Sequence, residues 1–342
     1  MMQRVNLKFL AKELGVSEAT VSRALNDYPD ISQVTRNRVR EVADKYNYKA
    51  NQTARRLATG VAEAVAYLMP AANNAIADPF VAQLLKGIGE SLSKRGWDLL
   101  VVQASSLETE AETVEKLSTS CRVSGVVISR PYKDDRRIAL LKQNNMPFIV
   151  HGRSVDHDDY AWFDVDSQAA FCDAVTHLAG LGHNRIGFIG APPEFNFAQM
   201  RLDGYKSGLT ANGLTFDPAL VTFAELSDAA GEQAAIEMFE TTAPPTALLC
   251  ATDTQALGAL AAIRSLGLTP GQDVSVIGYD GLDFGRHTNP PLTTMAQPQS
   301  HSGREMCDML LAIIDGGNPV DHQELRSAKL VRRLSDGPVR PR

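Results

Sequence analysis

The sequence predicts an N-terminal three-helix helix-turn-helix domain, a hinge, and an α/β core of two doubly wound parallel-sheet subdomains. Three observations carry this expectation. Residues 1–60 hold eleven Lys/Arg against six Asp/Glu, a net +5, while the 342-residue chain totals −6, leaving −11 for the remainder. The first 50 residues show three short helical patterns, and from Ala64 onward short apolar runs alternate with helical ones. The length allows two or three domains, and the expected divisions are 1–49, 50–60 and 61–342, with the core split near 166.

The first helix starts after Asn6, a good N-cap, and stops at Gly15; Leu7, Leu10, Ala11 and Leu14 share one face. Val16 separates that stop from Ser17, the cap of a second helix running Glu18 to Leu25 with Val21 and Leu25 inward. The stretch Asn26-Asp27-Tyr28-Pro29-Asp30 breaks the chain. Ser32 caps a third helix carrying Val39, Val42, Ala43 and Tyr46 at i, i+3, i+4, i+7.

Two helices joined by a tight Gly-containing turn leave the start of the second free to enter a DNA major groove. The residues offered there are Ser17, Glu18, Ala19, Thr20, Ser22, Arg23 and Asn26. Hydroxyls and helix N–H groups can hold phosphates, while Glu18 and Arg23 can read base edges. A scaffold that touches only protein is the other reading of the same three helices. Residues 51–59 form at most a two-turn helix, marginal alone, so the segment bearing Asn51, Arg55, Arg56 and Leu57 orders only when bound or serves as a linker.

In the body, strands are expected at Ala64–Met69, Asp98–Gln103, Gly125–Ser129, Phe148–His151 and Trp162–Val165. A second set is expected at Arg185–Ile189, Leu220–Phe223, Ala247–Ala251 and Asp273–Tyr279. Helical patterns such as Phe80–Lys94, Ser167–Leu181, Gly204–Ala211 and Thr254–Leu266 lie between them. Ligands of such sheets bind beyond the carboxyl ends of the strands. Arg153, Asp166, Asn196, Phe197, Arg201, Asp253 and Asp280 stand there, charged, amide and aromatic groups suited to sugar hydroxyls and ring faces.

Several of these strings resemble one family. LAKELGVSEATVSRALND, then ISQVTRNRVREVADKYNYKANQTARRLATG, is similar to the head of the lactose-repressor/galactose-repressor family: Gly15-Val16-Ser17, Thr20-Val21-Ser22-Arg23, Thr35-Arg36, and a hinge from Asn51 to Leu57. GHNRIGFIG followed by Arg201-Leu202-Asp203-Gly204-Tyr205, then ATDTQALGAL, DVSVIGYDG and LTTMAQP…KLVRRLS, resembles that family's effector-binding core, itself similar to periplasmic sugar-binding proteins.

The resemblance implies a repressor of sugar uptake or catabolism genes, acting as a homodimer on a near-palindromic double-stranded operator, with Leu57 wedged into the minor groove. It also implies a small carbohydrate effector held by Phe80, Arg201, Asp253 and Asp280. Asp253 can equally be a helix cap, and Arg201 can equally pair with Asp203. Phe195 and Phe197 stand near where purine-binding members carry base-contacting Arg and Thr, which counts against a purine. Thr252-Asp253 replaces the usual Asn-Asp. His151-Gly152-Arg153 with Tyr160–Asp166 resembles a subgroup tied to α-glucoside uptake. The C-terminal LVRRLSDGPVRPR has no leucine heptad, so a dimer and no tetramer is expected.

Other classes find little support. No run of 18 apolar residues exists to span a membrane, and MMQRVNLKFLAKELG is not a secretory signal. Cys121, Cys172, Cys250 and Cys307 lie far apart, which fits a reducing cytoplasm better than a disulfide framework or a zinc module. There is no GxSxG, GxxxxGK[ST] or HExxH, and Gly87-Ile88-Gly89 lacks a third glycine, so no enzyme and no cofactor are expected. His151, Asp156, His157, Asp158 and Asp159 are read as a solvated loop in preference to a metal site. A sugar-binding protein whose head docks another protein is the remaining alternative.

Overall fold

A computed structural model describes residues 5–26, 28–48, 62–69, 78–104 and 106–340. Asn51, Arg55 and Leu57, expected in the hinge, lie outside the described residues. The chain divides into two compact units, residues 1–62 and 63–342.

The first unit is a three-helix cluster. Helix α1 (Leu7–Leu14) begins where Asn6 Oδ1 accepts from Phe9 N at 2.9 Å, and it ends on Gly15 at φ 69°. Only glycine adopts that left-handed conformation without a steric penalty. Helices α2 (Glu18–Leu25) and α3 (Gln33–Lys45) start on Ser17 and Ser32, each accepting from the N–H three residues on. Such caps contribute about 1 kcal/mol each. The core holds Leu10, Leu14, Val21, Ala24, Val39 and Ala43. Ala24 is fully buried, and half-buried Leu25 packs against the same core, as expected of the inward face of α2.

The second unit contains two six-stranded sheets. In chain order come β1 (Ala64–Met69), α4 (Pro79–Arg95), β2 (Asp98–Gln103), α5 (Leu107–Thr119), β3 (Gly125–Ser129), α6 (Arg136–Gln143), β4 (Phe148–His151) and β5 (Ala161–Val165). Then follow α7 (Ser167–Gly180), β6 (Ile186–Gly190), α8 (Asn196–Ala211), β7 (Val221–Phe223), α9 (Asp228–Phe239), β8 (Ala247–Cys250), α10 (Asp253–Ser265) and β9 (Ser275–Asp280). The chain closes with β10 (Thr293–Ala296), α11 (Gln299–Ile314), β11 (Gln323–Arg326) and β12 (Lys329–Val331). Strand orders are β11-β5-β4-β3-β1-β2 and β12-β10-β9-β8-β6-β7, parallel except for the β10–β12 pair.

Burial on both sheet faces explains the continuously apolar strands. In β1, Val65, Tyr67 and Met69 pack with Leu84, Ile88 and Leu310, while Ala64, Ala66 and Leu68 pack with Val114 and Leu141. Fully burying one such aliphatic or aromatic side chain contributes about 1.5–3 kcal/mol. In the second subdomain α8 lies very close to α7, because a Cβ at Gly204 would stand 2.2 Å from Gln168 O. That close approach fixes the helix bearing Arg201.

The chain passes between the sheets three times, in the segments β5–α7, β10–α11 and β11–β12. A boundary near 166 describes only the first passage. Helix α11 packs on the first subdomain, with Met306, Cys307 and Leu310 in its core, and β11 pairs with β5.

Candidate functional site

On the first unit, the start of α2 presents Glu18 and Ala19 exposed, with Thr20 and Ser22 half-buried. Ser17 Oγ lies 2.8 Å from Thr20 Oγ1, so the two hydroxyls sit together at the helix end. Helix α3 repeats the device: Ser32 and Thr35 hydroxyls lie 2.9 Å apart. Sequence reading did not single out this second pair, although the repeated Ser-x-x-Thr was its signal. Two helix N-termini that offer N–H groups and hydroxyls suit phosphate oxygens. Arg23 donates from Nη1 to Asp30 Oδ2 at 2.9 Å, with both side chains about half exposed. Exposed pairs of this kind contribute about 0–1 kcal/mol, so the guanidinium can exchange Asp30 for another acceptor at little cost. Asn26 donates from Nδ2 to Ser22 O at 2.8 Å and serves the end of its own helix.

In the second unit a cleft opens to solvent between the two sheets, at their carboxyl ends. Five of the expected effector residues line it: Phe80, Arg153, Phe197, Arg201 and Asp280. Arg201, at the second turn of α8, is 7% exposed. Its Cζ lies 4.1 Å from the Tyr279 ring centre and 4.4 Å from that of Phe197, and Nη1 donates to Ala251 O at 2.6 Å. Its Nε is buried with no acceptor. Arg201 forms no ion pair with Asp203, whose Oδ1 accepts instead from Gln199 at 2.9 Å. Burial pulls the guanidinium pKa down, so a ligand oxygen at Nε would relieve a real deficit.

Asp280 ends β9 at φ 126°, an uncommon conformation for a non-glycine residue. It is 4% exposed, and Oδ1 accepts from Gln297 Nε2 at 2.7 Å. Burial pushes its pKa up to about 8, against the opposing pull of Arg201. Across the cleft, Arg130 pairs with Asp78 and lies over Phe80. Arg153 donates from Nε to Asp164 at 2.8 Å and lies over Trp162. Burial raises the Asp164 pKa, with Arg153 opposing. His151 also lines the cleft, and burial, assisted by Arg130 and Arg201, pushes its pKa down to about 4, so it is neutral at physiological pH.

Three expected residues are not on the cleft wall. Asp166 caps α7, accepting from Ala169 N at 2.9 Å. Asp253 is fully buried: Oδ1 accepts from Thr294 Oγ1 at 2.6 Å and Oδ2 from Leu282 N at 2.7 Å. The cap of α10 is its neighbour Thr252, which does line the cleft. Asn196 donates from Nδ2 to Arg153 O at 2.7 Å and so joins the two walls. Arg130, His151, Asp164, Tyr279 and Gln297 belong to the cleft and were missed. The strand-end rule points to four of them; Gln297 follows β10, a strand the apolar pattern does not reveal.

Among the described residues, no group of three or more His, Cys, Asp or Glu could hold a metal, and no helix is long and apolar enough to cross a membrane. In the proposed solvated loop, His151 is withdrawn into the cleft and His157 Nδ1 meets Val155 O at 3.0 Å.

Residues 6–51 match the bacterial regulatory proteins of the lacI family, and residues 175–335 match the periplasmic binding protein-like domain. The HTH-type transcriptional regulator AglR of Rhizobium meliloti (strain 1021) is 38% identical over 98% of this chain and 95% of its own length. The chain belongs to the LacI family. A structure of the Lac repressor dimer bound to operator and the anti-inducer ONPF superposes with a TM-score of 0.84 at 29% identity, covering 97% of this chain and 99% of that one. A complex of the transcriptional regulator CelR with cellobiose gives a TM-score of 0.75 at 29% identity, covering 97% and 100%. As a LacI-family member the protein is a helix-turn-helix transcriptional regulator that binds DNA, and a head that docks only protein finds no support.

Proposed function

We propose that this LacI-family regulator represses genes of sugar uptake or catabolism and that a small saccharide, an α-glucoside, occupies the cleft and sets its affinity for a near-palindromic operator. The observation that carries the ligand class is Arg201, buried between two aromatic rings with an unsatisfied Nε and Asp280 nearby. Aromatic faces suit the C–H faces of sugar rings, and charged groups suit hydroxyls. A complex of the similar regulator CelR with cellobiose agrees with a disaccharide-sized occupant. A thermal-shift screen of mono- and disaccharides tests it. A ligand at 100 times its Kd adds about 2.7 kcal/mol of stability, while a panel that shifts nothing would remove the saccharide reading.

The active species is a homodimer, as two symmetric heads require for a palindromic site. Light scattering at micromolar concentration should give twice the 37.1 kDa chain mass; a tetramer contradicts this. Arg23 reads a base edge, so Arg23→Ala should cost about 1–3 kcal/mol and relax preference at one symmetric pair of operator positions. A uniform loss over all operator variants would make Arg23 a phosphate contact.

A further inference from the structure

Two chain segments outside the three passages join the subdomains. Residues 131–133, after β3, run antiparallel to residues 194–196, at the start of α8, around a Tyr132–Phe195 bridge. Asn196 N donates to Pro131 O at 3.1 Å and Lys133 N to Glu194 O at 3.2 Å. The Tyr132 and Phe195 rings stack at 5.3 Å and 13°. Asn196 Nδ2 adds the bond to Arg153 O, so this single residue grips the loops after both β3 and β4.

Both sides of this clasp are prepared for it. On the first subdomain, buried Arg137 donates to Asp135 and to Arg130 O, and its guanidinium lies 4.8 Å from the Tyr132 ring centre. Asp135 in turn accepts from Tyr132 N at 3.0 Å. On the second subdomain the N-cap of α8 is Phe195, which has no side-chain cap bond, where Ser, Thr, Asp or Asn would serve the helix better. Local rules broken in this way mark positions shaped by another demand. Phe195 stacks on Phe197 at 5.4 Å, and Phe197 lies against Arg201. The turn of helix that meets the cleft contents therefore also grips the opposite wall.

We propose that Asn196 is a positioning residue, not an effector contact: it holds the cleft walls together and converts occupancy of the Phe197–Arg201 surface into subdomain closure. This rests on the cleft being the effector site, but the closure it predicts can be measured without any effector. A ligand that favours the clasped arrangement shifts the equilibrium by its differential affinity, and loosening the clasp weakens apparent binding in proportion.

The test uses the full chain with spin labels on exposed Cys121 and on a cysteine introduced at exposed Ser207, one in each subdomain, with half-buried Cys172 changed to Ala. Labelled protein is diluted into unlabelled protein so that pairs within one chain dominate. Asn196→Asp removes the donor to Arg153 O but places an acid at a helix N-terminus, which favours the helix; Asn196→Ala removes the amide without adding charge. Both should broaden the ligand-free distance distribution beyond that of the unchanged Asn196 protein. Calorimetry with maltose, trehalose and sucrose should show about tenfold weaker binding of whichever sugar the Asn196 protein binds, a loss of about 1.4 kcal/mol. An unchanged ligand-free distribution overturns the proposal, and weaker binding with an unchanged distribution makes Asn196 a ligand contact instead. A broadened distribution with no sugar bound by any form supports the clasp and counts against the saccharide reading alone.

Discussion

Arg201→Ala should raise the half-effective saccharide concentration about ten- to a hundredfold while leaving operator affinity without saccharide close to its original value. A buried hydrogen bond to a charged group is worth about 1.5–3 kcal/mol, and each 1.4 kcal/mol is a decade. The head carries none of the cleft residues, so its groove contacts survive. Asp280→Asn is the matching change at the other charge. Asn tolerates positive φ better than Ala and keeps a partner for Gln297, so a lost response there reports the carboxylate and not backbone strain. Titration of saccharide against a labelled operator measures both variants, with thermal melts to confirm folding. A variant that responds at unchanged saccharide concentration would make its residue structural.

Saccharide affinity should rise with pH between about 6 and 8, by up to about tenfold per unit, and level off above that. The sign follows from Asp280, whose pKa burial pushes up to about 8, so its carboxyl is mostly protonated at pH 7. A sugar hydroxyl donated to the ionised form favours that form, so binding releases a proton and is favoured as pH rises. The same raised pKa has an opposite consequence for the ligand-free fold. The folded state holds this proton more tightly than the unfolded chain, so the Asp280 contribution to stability falls as pH rises from the usual carboxylate range to about 8. Arg201, Arg130, Asp253 and Asp78 all act on Asp280; Asp253, raised by burial to about 6, adds a smaller effect at the lower edge of the window. His151, at about 4, does not titrate there. Calorimetry in two buffers of different ionisation enthalpy counts the proton. Flat affinity from pH 6 to 8 would mean that the ligand does not take a carboxylate at Asp280.

The head was legible because its signals are local. Asn6, Ser17 and Ser32 cap, Gly15 stops, and each acts within four residues of itself. The apolar strands were legible because both faces of each sheet are covered. What escaped was polar or distant. Strand β10 carries buried Thr293 and Thr294, and edge strand β11 reads Gln-Glu-Leu-Arg, so neither shows an apolar run. Without them the second and third passages between subdomains are invisible, and with them Gln297. Asp253 looked like a ligand contact or a cap because it opens a helix, but Thr294 and Leu282 hold it, partners far along the chain. The sequence places Asn196 beyond a strand end, in the neighbourhood of the cleft; its bonds across the cleft go to Pro131 and Arg153, which only the folded chain brings within reach.

If a cleft occupant controls DNA binding, one titration will show it. A genomic fragment selected by binding is labelled, and its affinity is measured at two salt concentrations, with and without the saccharide that the thermal screen selects. Binding should be tight and fall steeply with salt, with log K changing by about −0.9 per log unit of salt for each phosphate neutralised, and affinity should change clearly when saccharide is added. Binding that ignores salt, or an operator affinity that is the same with the cleft filled and empty, would contradict it.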